Sequence, residues 1–307
     1  MKKKFIVCLA IVQIGIIGVL IVGVFKKTAE VKPSIGITNK DSIVRVQTEQ
    51  YSFFFEPKSN NKYRDVGGFN ATYTINKDSL NDRYDYPAEK ENGVFRIITL
   101  GDSYTFGFHV STQENWTELL EDKLNKIKSK KVQKFEVINL GVVAYDSAYS
   151  IERFKKRGEK YSPDLIVWLQ FDFLRDTEQI FNELSKMPNF DSLSFNDQLK
   201  GWKKARMSIA SKDRKEAVKE QEEIISQLGD ITRSKIIIIP IPVMKEEFKR
   251  SMEKVAGEKH YIYADILRNF YNLHGILPND DHPNQTGHRL IAEDIYGYLK
   301  KNIISAY

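Results

Sequence analysis

Near its start the chain places Lys2, Lys3 and Lys4 before an apolar run from Phe5 to Phe25, broken only by Gln13 and three glycines and closed by Lys26 and Lys27. At about 1.5 Å rise per residue such a run crosses a hydrocarbon core of roughly 30 Å. Ile21-Val22-Gly23-Val24-Phe25 offers no small-residue cleavage pattern, so the expectation for residues 1–27 is an uncleaved transmembrane helix. The flanking basic residues lean toward an inside amino terminus and an extracytoplasmic body. Residues 28–93 follow as a second segment. To about Val44 it is a polar spacer without periodicity; Gln50 to Phe55 and Phe69 to Asn76 are then aromatic and β-branched with Gly67-Gly68 between them, which predicts a small β-rich extension.

From Val94 the pattern alternates. Phe95 to Leu100, Phe135 to Leu140, Asp164 to Gln170 and Lys235 to Pro240 read as strands, and Ile236-Ile237-Ile238-Ile239 is apolar enough for burial on both faces. Helical spacing occupies about Asn115 to Lys130, Ser147 to Lys160, Asp213 to Leu228, Lys245 to Ala256 and Thr286 to Lys301. Strand and helix in alternation predict an α/β domain over 94–307, a parallel sheet with helices on both faces and right-handed crossovers. Ligands then bind beyond the carboxyl ends of the strands. Between about Thr177 and Lys212 the pattern is irregular, interrupted at Met187-Pro188 and Ser192-Leu193-Ser194; this segment is read either as a lid facing substrate or as a surface excursion.

The 307 residues suffice to bury one sizeable core. Cys8 is the single cysteine, which removes any intrachain disulfide or cysteine-based metal site. A formal charge of +6 favours approach to anionic polymers or lipid headgroups. Lysines and glutamates interleave over Asp213 to Glu223, however, as on a solvated helix face, and no nucleic-acid-binding motif accompanies the charge.

The candidate chemistry sits at the end of the first strand of the alternating region. In Leu100-Gly101-Asp102-Ser103-Tyr104-Thr105-Phe106-Gly107, glycines flank a serine on a strand-to-loop turn, a setting that exposes a hydroxyl and its backbone N–H. Far downstream, His282 lies in Asp280-Asp281-His282-Pro283 just before the last helical pattern. A histidine there can take the serine proton if a carboxylate fixes its ring; Asp280 is the first candidate orienter and Asp281 the second. His288, His109, His260 and His274 lack a comparable carboxylate setting and are read as structural. A divalent ion on Asp280, Asp281 and His282 is disfavoured because no second histidine stands at ligand spacing, so neither metal nor cofactor is expected.

These blocks resemble the SGNH hydrolases, or GDSL-type esterases. Gly101-Asp102-Ser103-Tyr104-Thr105-Phe106-Gly107 looks like the family's first block, Asn139-Leu140-Gly141-Val142-Val143-Ala144-Tyr145 its second, Pro163-Asp164-Leu165-Ile166-Val167 the strand leading to its third, and Asp280 to His288 its last. Tyr73-Thr74-Ile75-Asn76 and Phe95-Arg96-Ile97 are similar to membrane-associated bacterial members. The resemblance implies a three-layer αβα flavodoxin-like fold with Ser103 as nucleophile, His282 as base and Asp280 as third member. It implies an oxyanion hole from the N–H of Ser103, an N–H in the second block and an asparagine in the third. Two positions depart from the pattern. Ala144 stands where glycine is usual, and is expected to serve if its φ is negative; the third-block asparagine is missing from Leu169-Gln170-Phe171-Asp172-Phe173. Gln170 is the substitute donor, Asp172 in ionised form would repel an oxyanion, and Asp102, Asp281 and Asp172 are the neighbouring acids of the site. The expected activity is removal of an acyl group, acetyl foremost, from a cell-surface glycan or a lipid. The alternatives are glycan O-acetyl transfer by the same residues and a catalytically silent glycan-binding protein.

Overall fold

The structure is a computed structural model, and it describes residues 43–46, 48–51, 54–65, 69–172, 176–189 and 195–306. The expected membrane anchor at 1–27 lies outside these residues; among the described ones no helix is long and apolar enough to cross a membrane.

The extension forms two antiparallel hairpins, β1 (Ile43–Val46) with β2 (Phe54–Pro57) and β3 (Asn61–Arg64) with β4 (Thr72–Ile75). There follow β5 (Val94–Leu100), α1 (Ser103–Phe106), α2 (Trp116–Leu124), β6 (Lys134–Asn139), α3 (Ser147–Arg153), β7 (Leu165–Gln170), α4 (Thr177–Ser185), α5 (Phe195–Ser208), α6 (Arg214–Ile231), β8 (Lys235–Pro240), α7 (Glu246–Lys259), β9 (Ile262–Tyr263) and α8 (Gln285–Asn302). The five later strands make one parallel sheet in the order β6-β5-β7-β8-β9. Every residue of β7 is buried, as is β8 after Lys235, because helices cover both faces. With right-handed crossovers, α2 lies on one face, where it packs on α8, and α3, α6 and α7 lie on the other. The strand order reverses between β5 and β7, which opens a crevice at the carboxyl end of β5.

The four long strand runs read from the pattern are present, and β9 is an addition of two residues, too short for any periodicity. Helix α2 stops at Leu124, short of the expected Lys130, because the Asn125 side chain is taken by β6. It donates to the Phe135 carbonyl and accepts the Phe135 N–H, both at 2.9 Å. The expected helix from Ser147 to Lys160 is regular only to Arg153, then widens over Phe154–Gly158 and tightens over Glu159–Tyr161.

The extension is built into the domain. Tyr73 and Ile75 of β4 pack on Phe106 of α1, and the Thr74 N–H donates to Thr112 Oγ1 at 2.8 Å. Phe54 and Phe55 of β2 share a second apolar cluster with Tyr145, Tyr149 and the α4 residues Ile180, Phe181 and Leu184. The segment expected to be irregular therefore holds two helices, α4 and α5, and turns apolar side chains of both toward the extension. Within this region Glu56 of β2 is fully buried and binds the guanidinium groups of Arg153 and Arg157, the latter at 2.6 Å. Burial opposes ionisation of Glu56, but the two arginines outweigh it and hold its pKa below the usual value.

Replacing one member of a buried ion pair leaves the other charge without compensation. Glu56→Leu is expected to lower the unfolding free energy by about 3–5 kcal/mol, read from urea denaturation.

Candidate active site

Ser103 is placed by close backbone packing. Strand β5 ends at Leu100, and Gly101 takes φ +150°, where a Cβ would collide with Thr105 Oγ1. Gly141, after β6, lies against the backbone of Thr105 and Phe106, so a side chain there would push α1 out of position. Asp102 caps α1 by accepting the Tyr104 N–H at 2.9 Å. The Ser103 N–H, at the first helical position, lacks an intrahelical acceptor and is free to serve a ligand. The helix ends after one turn, where the N–H groups of Gly107 and Phe108 both donate to the Ser103 carbonyl at 3.0 Å.

The segment before α8 carries the histidine and is tied at several points. Asn284 caps α8 at the Gly287 N–H and also donates to the carbonyls of His274 (2.9 Å) and Ile276 (2.8 Å). The Tyr104 hydroxyl donates to the Asp281 carbonyl at 2.6 Å and meets the Tyr271 hydroxyl. These ties bring His282 Nε2 to 2.8 Å from Ser103 Oγ. Asp280 Oδ1 lies 2.5 Å from His282 Nδ1 and accepts the His282 backbone N–H at 2.8 Å. The structure thus places Ser103, His282 and Asp280 together in hydrogen-bonding order. Asp281, the second candidate orienter, is exposed and meets the site through its main chain. Tyr104 and Phe108 set their ring edges on His282, at 5.5 and 5.1 Å between centroids.

Charge around the histidine is graded. Burial works to raise the Asp280 pKa, but the hydrogen bond and charge of His282 dominate, with the His282 backbone N–H and the charge of His109 adding to them, and hold it at about 2. Asp102 is pushed up to about 6 by burial, against the pull of the Tyr104 N–H and of His282. His288 is fully buried, its Nδ1 accepts the Trp116 N–H at 3.2 Å, and burial together with the His282 charge takes its pKa down to about 3. Its role is to join α8 to the start of α2.

One sequence reading changes, and the structure resolves the conditions attached to two others. His109, read as lacking a carboxylate, has two: Asp65 Oδ2 lies 2.8 Å from its Nδ1 and Asp280 Oδ2 lies 3.9 Å from its Nε2. Asp65 stands 44 residues upstream of His109, so no local pattern joins the two, although a histidine six positions after Ser103 is itself a signal. Ala144 has φ +66°, so the negative-φ condition is not met and the residue instead keeps the left-handed backbone that glycine adopts without strain. Thr177, which opens α4, ties this turn down: its hydroxyl donates to the Ala144 carbonyl and its N–H to Asp146, both at 3.0 Å. Asp172, considered as a repulsive charge, is raised by burial and lies 3.9 Å from Lys245 Nζ. Gln170 is buried; its carboxamide oxygen accepts from Ser147 (3.0 Å) and Gln221 (3.1 Å), while its NH₂ group has no protein partner. His109, Asp280 and His282 bring ligand atoms within 4.8 Å of one another, but both His282 ring nitrogens are already engaged by Asp280 and Ser103.

No family model and no curated protein matches the sequence. Among solved structures the chain is similar to TesA, with 17% identity, a TM-score of 0.45, and coverage of 67% of this chain and 98% of that one. It is similar to the psychrotrophic esterase EstA from Pseudoalteromonas sp., with 17% identity, a TM-score of 0.45, and coverage of 67% and 97%. It is also similar to Axe2, an acetylxylan esterase from Geobacillus stearothermophilus, with 13% identity, a TM-score of 0.42, and coverage of 69% and 95%.

Relief of left-handed strain at residue 144 is worth about 1–2 kcal/mol, offset by about 0.5–1 kcal/mol for the greater unfolded-state freedom of glycine. Ala144→Gly is expected to change stability by about 0–1.5 kcal/mol in the stabilising direction on that difference, measured by urea denaturation.

Proposed function

We propose that this chain is a serine-dependent ester hydrolase of the SGNH type, which removes an acyl group through an acyl-enzyme. The observation that carries the reading is the 2.8 Å approach of Ser103 Oγ to His282 Nε2, with Asp280 on the opposite ring nitrogen. Asp280 accepts a hydrogen bond from Nδ1–H and stays ionised, leaving Nε2 as the base. Ser103 Oγ attacks the ester carbonyl while Nε2 takes the hydroxyl proton; the ester C–O bond breaks, and the leaving alcohol receives that proton from Nε2. Water then attacks the acyl-serine with Nε2 again as base, releasing a carboxylic acid and restoring the Ser103 hydroxyl. The Ser103 N–H is one oxyanion donor and the Ala144 N–H a second, held by the anchored left-handed turn. Gln170 is the candidate third donor; its NH₂ group is unpartnered but closed off from solvent, so serving the oxyanion requires the side chain to turn.

Ser103 is 8% exposed and the Tyr104 and Phe108 rings flank the histidine, and this crowding favours a small acyl group such as acetyl. The membrane-length run at Phe5 to Phe25 and the positive charge support an anchored protein whose body faces outward, toward acylated glycan or lipid.

A fluorophosphonate probe is expected to label Ser103 and no other residue, and Ser103→Ala to abolish both labelling and hydrolysis of short-chain aryl esters. A folded wild type that takes no label would instead point to the silent glycan-binding protein. For location, protease added to intact cells is expected to digest the body; full protection would refute the outward orientation.

A further inference from the structure

The chain buries a second aspartate–histidine pair behind the first. Asp65, at the end of β3, and His109, just after α1, have side chains 0% and 5% exposed and meet at 2.8 Å. The Tyr73 hydroxyl binds both: it donates to Asp65 Oδ1 at 3.3 Å and accepts the His109 backbone N–H at 2.7 Å. The rings of Phe108 and Phe69 enclose the imidazole, with centroids at 3.7 and 4.5 Å. Asp65 accepts from Nδ1, which turns the Nε2 edge of His109 toward the Asp280 oxygen that His282 does not use, 3.9 Å away. At that separation the contact is electrostatic or passes through a water rather than being a direct hydrogen bond.

His109 has φ +70°, a left-handed backbone that it shares with His260 and His274, so what sets it apart is the contacts of its side chain.

We propose that His109, held by Asp65 and Tyr73, is a positioning residue that fixes the Asp280 carboxylate so that its other oxygen stays on His282. The proposal rests on the serine hydrolase reading and extends it to the β3–β4 hairpin, which supplies Asp65 and Tyr73. Without His109 the Asp280 carboxylate can rotate, and the imidazole of His282 loses the constraint that aligns Nε2 with Ser103.

The test uses full-length protein in detergent and the rate of Ser103 labelling by a fluorophosphonate, with hydrolysis of p-nitrophenyl acetate alongside. Asp65→Asn and His109→Gly are each expected to slow labelling and lower kcat by about tenfold or more, the scale on which a partner one layer removed acts on a metal-bound histidine. KM is expected to stay unchanged. His109→Gly relieves the left-handed φ but leaves Asp65 buried without its imidazole partner, so it is expected to lower the melting temperature, and rates are read well below that temperature on protein whose circular dichroism matches the wild type. Added imidazole should recover part of the His109→Gly rate, and His109→Gln, which keeps a side-chain N–H, should retain more activity than His109→Gly. Labelling of folded His109→Gly at the wild-type rate would overturn the proposal while leaving the serine reading intact. A wild type that fails to label removes the serine reading itself, and this proposal with it.

Discussion

The architecture is organised around one hydrogen bond, from Ser103 Oγ to His282 Nε2, between residues 179 positions apart in the chain. The parallel sheet makes that meeting attainable. The β5 end, the turn after β6 and the segment before α8 all arrive at the same edge, and two glycines let the backbones close to contact there. A Cβ at Gly101 or Gly141 would displace the one-turn helix that carries the serine. From the other side, Tyr104, the neighbour of Ser103, holds the Asp281 carbonyl, so Ser103 and His282 are joined by a tie apart from the one they make to each other.

The hairpins before the sheet change the meaning of the domain boundary. Tyr73 and Ile75 pack on Phe106 of α1, Asp65 reaches His109, and Glu56 closes a buried ion cluster with Arg153 and Arg157. Cut at residue 93, the α/β region would lose its support for α1 and leave Arg153 without its carboxylate. The extension belongs to the same folding unit as the sheet.

Periodicity made the sheet legible because strands buried on both faces need uninterrupted apolar runs such as Ile236 to Ile239, while β9, with two residues, carries no such run. The Ser103, His282 and Asp280 constellation was legible because glycine at a strand end and an acid two residues before a histidine are local signals with a physical purpose. Asp65 and His109 were not, since their pairing depends on where a hairpin docks, which no local pattern encodes. The backbone of Ala144 was illegible for a related reason. A residue type does not reveal its φ, and here the turn fixed by Thr177 and Asp146 overrides the preference of alanine.

The central claim concerns which nitrogen of His282 bears the proton. Nitrogen-15 NMR of the histidine-labelled, full-length protein in detergent reads this directly, since protonated and unprotonated ring nitrogens resonate apart. The account predicts a neutral imidazole protonated at Nδ1 toward Asp280, with an Nε2 signal that moves in Ser103→Ala while Nδ1 stays in place. A neutral ring protonated at Nε2, unable to accept the serine proton, would contradict it.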